Sequence, residues 1–356
     1  MQAVVYSFSW RGAELSKKVC ACLTAAGYNA AAQTLPKYAA DAGIGVMLPD
    51  YKTACAEAFD KCGVIIFVGA AGIAVRTIAP YIKSKLTDPA VISVDEKGNF
   101  VIPLLAGHIG GANEIARYLA KFLGGIACVT TATDVNGLFA VDEWAVRNRM
   151  TIDSMHAAKE FAAALVAEET VGLTSEFPVV SALPKGMQLY GEGSIPVLGL
   201  NIALNTSNTK FATTLHVLPR IVHLGIGCRR GTECANIAAL VLPELERLHI
   251  DKRSVCSIAS VDLKKDEQGL LEFAALNGWP ANFYTADELN AVAGEFTPSN
   301  FVRGIVGVDN VCERSAVKDS NGGNLLLHKT SKNGVTLAVA IEDIVIDFFK
   351  TGLKTE

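Results

Sequence analysis

The segment from Gly69 to Asp142 limits the fold more than any other part of this chain. Within it, Gly69-Ala-Ala-Gly72-Ile-Ala-Val-Arg76, Leu104-Leu-Ala-Gly107-His108-Ile-Gly110-Gly111-Ala-Asn113 and Thr130-Thr131-Ala-Thr-Asp134 each close an apolar, β-branched run. Strands that end in glycine and polar residues belong to α/β sheets, where the strand ends hold the loops that carry chemistry. Several such ends in one short segment predict a single assembled site.

Buried runs without polar alternation, such as Gly63–Val68, indicate a parallel sheet covered on both faces. Ala3–Phe8 reads as the first strand and Ala112–Leu123 as a helix. Val91–Asp95 and Phe100–Leu104 read as a hairpin about Glu96-Lys97-Gly98-Asn99. Ala127–Thr131 is expected as the next strand. Gly72–Lys85 is expected as a helix that bends or stops at Pro80. From Gly172 to Ser207 the chain is studded with Pro, Gly and Ser, and its patterning is weak. A second α/β unit opens with strand Ile221–Ile226, loop Gly227–Gly231 and helix Thr232–Arg247, with Thr232 as N-cap. The expected fold class is α/β: two α/β units with mostly parallel sheets flanking a smaller irregular middle domain. The expected bounds are 1–135, 136–218 and 219–356.

A chain of 356 residues, half of them apolar, divides into two or three domains. The net charge is −4, and no basic stripe with interleaved aromatics marks a nucleic-acid partner. The start, Met1-Gln-Ala-Val-Val-Tyr-Ser-Phe, has no basic region before its apolar run and is expected as a strand, not a signal peptide. The longest apolar run, Gly63 to Val75, is too short for a bilayer. A cytoplasmic protein with no membrane partner is expected. The nine cysteines lack metal-ligand or framework spacing, so buried thiols and no protein-bound metal are expected.

The turn Gly107 to Asn113 is the strongest candidate site. Its glycines admit a ligand to the backbone, and the helix that follows presents unpaired N–H groups to an anion. His108 sits where a base near neutral pKa can move a proton; the plainer reading is a tight turn. Thr131 and Asp134 either orient that histidine or cap the next helix. Asp142 is a second carboxylate or an N-cap before Trp144. Gly69, Gly72 and Arg76 form another strand-to-helix turn that suits a carboxylate or is structural. Lys85 and Asp88 are candidates for a surface pair, a reading favoured for Lys85. Gly225-Ile-Gly227-Cys-Arg229-Arg230-Gly231 resembles a dinucleotide fingerprint loosely: the spacing is G-x-G-x-x-x-G, and Asp262 comes late for the acidic partner. Its arginines favour a carboxylate-bearing ligand. Lys264 and Glu267, and Glu313 at a helix start, are binding candidates or solvated charge. His156, His216, His223, His249 and His328 have no partner in sequence and read as structural or surface residues.

Together these motifs resemble the cobalt-precorrin-5A hydrolases of anaerobic cobalamin biosynthesis. The resemblance rests on Gly69–Arg76, Asp88-Pro-Ala-Val91, Asp95-Glu-Lys-Gly98, Leu105–Asn113 and Thr130–Asp134. Leu224–Thr232, Lys264–Glu267, Gly307–Glu313, Lys329 and Thr336-Leu-Ala338 extend it towards the carboxy terminus. It implies a cobalt-bearing, carboxylate-rich tetrapyrrole with a δ-lactone, which water opens as acetaldehyde leaves. The cobalt arrives with the substrate, so no cofactor is expected. The residue reading adds roles. Arg76, Arg229 and Arg230 would clamp carboxylates, the Gly110 and Gly111 amides would stabilise the oxyanion, and His108 would be the base, its ring held by Asp134 or Asp142. Gly69, Gly72, Gly107, Asn113, Thr131, Gly227, Lys264, Glu267 and Glu313 complete the binding set. A cleft between the first and last α/β units is expected to take the ring. An NAD-dependent dehydrogenase and a non-catalytic tetrapyrrole carrier are the rival readings. A homodimer and transient contact with other corrin-pathway enzymes stay open.

Overall fold

The computed structural model describes residues 1–84, 87–107, 110–297 and 308–349. The chain forms two compact units, one spanning Met1–Trp144 and one beginning at Ala145.

The first unit is built on one sheet. Its elements are β1 (Gln2–Ser7), α1 (Trp10–Ala25), β2 (Asn29–Thr34), α2 (Pro36–Ala42), β3 (Gly45–Val46), α3 (Tyr51–Lys61), β4 (Val64–Val68), α4 (Ala71–Ile78), β5 (Ala90–Val94), β6 (Phe100–Leu105), α5 (Ala112–Leu123) and β7 (Ile126–Ala127). The strand order is β3-β2-β1-β4-β5-β6-β7. The strands β1 to β5 run parallel, β6 is antiparallel to β5, and β7 follows β6. Both faces of β4 and β5 are buried, and alternate side chains feed two cores. Val64, Ile66, Val68 and Ile92 pack with Val19, Leu23, Ile115 and Leu119 of α1 and α5, whereas Ile65, Phe67 and Val91 pack with Cys55, Phe59 and Ile78 of α3 and α4. That division explains the runs of apolar residues without alternation.

The hairpin turn is held by Asp95, whose Oδ1 accepts from Phe100 N–H at 2.8 Å, and by Gly98 at φ +75°. α4 ends at Ile78, and Pro80 sits in a short 3₁₀ turn, Ala79–Tyr81. Ala127–Thr131 was expected as a full strand, but β7 pairs only with Phe100 and Val101, and the chain then leaves the sheet. Asp88 is not half of a surface pair. It is buried and accepts from the Lys83 and Ser84 amides at 3.0–3.2 Å. Lys85 lies outside the described residues.

The first unit ends in the short helices α6 (Ala132–Val135) and α7 (Val141–Arg147), the latter running past its last residue.

The second unit carries two sheets. The weakly patterned middle region is more regular than expected. β8 (Met150–Ile152), β9 (Val171–Ser175), β10 (Met187–Leu189), β11 (Leu198–Ile202) and β12 (Thr213–Pro219) form a sheet of order β10-β9-β11-β12-β8, with α8 (Met155–Val166) between β8 and β9. Gly172 and Gly199 lie under the ring of Phe211, where an added Cβ would come within 2.1 and 2.3 Å of ring atoms. Glycine at these strand positions weakens the β signal in the sequence.

The last sheet contains β13 (Val222–Cys228), β14 (Val255–Val261), β15 (Ala281–Tyr284), β16 (Asn324–Lys332) and β17 (Val335–Ile341), in the order β15-β14-β13-β17-β16. The helices α9 (Cys234–Arg247), α10 (Gln268–Asn277), α11 (Ala286–Asn290) and α12 (Val311–Asp319) accompany it. β13, β14 and β15 are parallel, and β17 is antiparallel to both β13 and β16. One face packs Ile237, Leu240, Val241 and Phe273, and the other packs Cys312 and Ala316 of α12.

Candidate active site

β6 delivers the chain to the Gly107 turn. Ala106 adopts φ +53°, and Gly111 caps α5 at φ +78°. The Ala112 amide donates to Ala106 O at 3.2 Å and the Asn113 amide to Gly107 O at 3.0 Å, so two amides at the helix start close the turn itself. Each glycine has its own physical reason. A Cβ on Gly110 would meet the Ala106 Cβ at 2.5 Å, and one on Gly107 would meet Asn113 Oδ1 at 2.8 Å. Gly111 has open space around a Cβ and is required for its dihedral. His108 lies outside the described residues.

Behind the turn, Asn113 is buried and donates from Nδ2 to Thr131 Oγ1 and to Asp134 Oδ2, both at 2.9 Å. Arg117, one helical turn beyond Asn113 on the same face of α5, grips Asp134 Oδ1. The structure thus brings Gly107, Asn113, Thr131 and Asp134 together. It adds Arg117, whose i+4 spacing from Asn113 was the available signal. Asp142 is in the first turn of α7, inside the helix and not at its N-cap, with Oδ1 accepting from the Glu143 amide at 3.0 Å.

The turn at Gly69 is elsewhere on the sheet. β4 and β5 end together, Val68 beside Val94, and the Gly69 amide donates to Val94 O at 2.8 Å. Because β6 runs back, Leu105 lies beside Val91 at the other end of β5. From Ala90 to Val94 the sheet rises roughly 13 Å, at about 3.3 Å per residue. Gly69, Gly72 and Arg76 therefore occupy the edge opposite the Gly107 turn, and the expectation of one assembled site in this segment is corrected. Arg76 is exposed and folds its guanidinium back over Gly72, 3.4 Å from where a Cβ would sit.

In the second unit the loop after β13 is ordered by Glu267, whose Oε2 accepts from the Gly231 amide at 2.9 Å and whose Oε1 takes Lys264 Nζ at 3.0 Å. Burial alone would raise this carboxyl; the Gly231 amide, Lys264 and the Arg230 charge hold it below the usual range. Arg229 and Arg230 remain exposed and able to meet a ligand. Thr232 is not the N-cap. Its hydroxyl donates to Arg229 O at 2.8 Å, and Glu233 takes the cap position. Glu313 joins neither group. It is fully buried, with Oε1 accepting from the Thr297 hydroxyl at 2.8 Å and the Lys329 amide at 2.7 Å, and Oε2 from the Thr297 amide at 2.7 Å. This geometry makes it a clasp between segments and corrects its assignment to substrate.

The glycines of the fingerprint-like loop serve packing. A Cβ on Gly225 would stand 1.8 Å from Cys312 O of α12, and one on Gly227 would stand 2.6 Å from Thr336 Oγ1 of β17. Neither is vacant for a pyrophosphate, so the dehydrogenase reading has no support. Among the described residues, no helix is long and apolar enough to cross a membrane.

Comparison with known proteins gives a consistent result. Residues 53–134 match the family described as Cobalamin synthesis G N-terminal, and residues 222–340 match Cobalamin synthesis G C-terminus. The chain is 37% identical to the cobalt-precorrin-5A hydrolase of Salmonella typhimurium, over 80% of this chain and 84% of that protein. It is 33% identical to the cobalt-precorrin-5A hydrolase of Priestia megaterium, over 80% of this chain and 79% of that one. A crystal structure of a cobalamin biosynthesis protein G homolog from Sulfolobus solfataricus aligns with 96% of this chain and 97% of its own, at 23% identity and a TM-score of 0.43. By its motifs, its matched domains and the two curated hydrolases, the chain belongs to the cobalt-precorrin-5A hydrolase family.

Proposed function

We propose that this protein opens the δ-lactone of cobalt-precorrin-5A with water and releases acetaldehyde, giving cobalt-precorrin-5B in anaerobic cobalamin biosynthesis. One observation carries the reading: 37% identity across 80% of the chain to a cobalt-precorrin-5A hydrolase. The cobalt belongs to the substrate, and the reaction as proposed uses no cofactor of the protein's own. The proposed setting is the cytoplasm.

The Gly107–Asn113 turn is the assigned catalytic element. His108 takes the proton from the attacking water and returns it to the leaving oxygen; that hydroxyl then gives up its proton as the carbon–carbon bond to the ring breaks, acetaldehyde leaves, and the ring carbon takes a proton. The Gly110 and Gly111 amides receive the oxyanion, because the Ala112 and Asn113 amides are already engaged in closing the turn. Asn113, Thr131, Asp134 and Arg117 form the network that fixes the turn's helix. In the second unit, Arg229 and Arg230, exposed on their loop, are suited to anionic carboxylates.

The test is His108→Ala assayed for acetaldehyde release from cobalt-precorrin-5A. Loss of a general base lowers turnover roughly 10²–10⁴-fold. Near wild-type turnover in a folded variant would remove His108 from the chemistry. A carrier would return the substrate unchanged in the wild-type assay.

A further inference from the structure

At the start of β13 and β14 a buried polar cluster stands apart from every residue used above. His223, on β13, is 3% exposed. Its Nδ1 lies 2.7 Å from Asp319 Oδ2, at the end of α12, and its Nε2 lies 3.0 Å from Glu342 Oε1, just past β17. The thiol of Cys256, on β14, completes a set of three donor atoms, from imidazole, thiol and carboxylate, all within 4.8 Å of one another.

Two features show that this cluster is built. The first is a β-bulge. Val222 pairs with Val255 but His223 pairs with Ser257, which leaves Cys256 as the extra residue. Bulges re-aim side chains, and this one allows Cys256 to share a neighbourhood with Ser257 beside the same histidine. The second is the support behind the imidazole. Asp319 Oδ1 accepts from Asn282 Nδ2 at 2.8 Å and from the Tyr284 hydroxyl at 2.6 Å, and Oδ2 takes the Ser257 hydroxyl as well as His223. A carboxylate fixed by three other donors is suited to accept a hydrogen from Nδ1, while Nε2 lies beside Glu342. This carboxylate–histidine arrangement is the usual outer support of a metal-binding imidazole. Glu342 Oε2 is occupied by Arg149 at 2.8 Å, which leaves Oε1 as the single oxygen facing the cluster.

We propose that His223, Cys256 and Glu342 bind one thiophilic divalent cation of the zinc class, with Asp319 positioning the imidazole. Bonds of about 2.0–2.3 Å to one centre place donor atoms roughly 3.5 Å apart, so small side-chain adjustments suffice. Three protein ligands leave a fourth position for water. The spacing of the cysteines hid the site, because its ligands come from β13, β14 and the segment after β17, and the outer two, His223 and Glu342, are 119 residues apart in sequence.

The test uses the full chain, stripped with a chelator and titrated with zinc or cobalt(II) salts alone, so it is independent of the hydrolase assay. One equivalent should bind saturably, and cobalt(II) should give a thiolate-to-metal charge-transfer band. Cys256→Ser should abolish that band and weaken zinc binding at least tenfold, and Asp319→Asn should weaken it about 10–100-fold. Circular dichroism and urea melts identify variants that fail to fold, and Cys256→Ser, at a half-buried bulge, is the conservative choice. No saturable binding, or an unchanged cobalt spectrum in folded Cys256→Ser, overturns the proposal.

Discussion

Glu313 shows what a single residue can and cannot disclose in sequence. Its position at a helix start and its charge are visible there; the partners that consume its oxygens are not, because Thr297 and Lys329 arrive from distant segments. Burial alone would raise the Glu313 carboxyl, yet the Lys329 and Thr297 amides, the Thr297 hydroxyl and nearby His328 hold it below the ordinary range. A folded-state value below the unfolded one means that the carboxylate stabilises the fold above the unfolded pKa of about 4.3, and that this is lost as pH falls through the folded value. Glu313→Gln should therefore cost about 2 kcal/mol near neutral pH, the scale of hydrogen bonds to a charged group. The gap should close in urea melts as pH falls from the unfolded pKa through the lower folded one, where the wild-type carboxyl becomes protonated. The glycines teach a related lesson. Gly111 is needed for a dihedral, Gly225 for the approach of α12, and Gly110 for room beside Ala106, yet all three look alike in sequence.

Two prolines behave oppositely at the scale of an element. Pro80 ends α4, as expected from the missing N–H and the constraint on the preceding residue. Pro243 sits inside α9, and the helix continues to Arg247. The apolar period is strong enough to carry the helix, the residue is exposed, and Lys332 Nζ reaches 3.5 Å to Ala239 O, the carbonyl that Pro243 leaves without its helical donor. Pro243→Ala should thus stabilise the protein by about 1–2 kcal/mol, less than the ~3 kcal/mol of an unrelieved interior proline. Urea midpoints measure the gain, and removal of the Lys332 amine should cost less in the variant than in wild type. An element with a clear period, such as α5, agrees with the sequence reading to the residue. The middle sheet was illegible because Phe211 packs on strand glycines that carry no β signal.

For the first unit as a whole, the decisive event is the reversal at Glu96–Asn99. One antiparallel strand sends the Gly107 turn to the edge opposite Gly69 and Arg76. Substitutions this far apart with no shared partner act independently. The effects of Arg76→Ala and Asn113→Ala on kcat/KM should add within about 0.5 kcal/mol; a coupling above 1 kcal/mol would mean that the two edges serve one contact. The sequence by itself determined the α/β class, the strand-to-helix turns and the family, because hydrophobic period, glycine placement and motif order are local or linear properties. Only the tertiary structure decided which turns share an edge, that Glu313 is a clasp, that Arg117 braces Asp134, and that His223, Cys256 and Glu342 meet. Those facts depend on strand direction and on contacts between distant segments, and no local pattern encodes either.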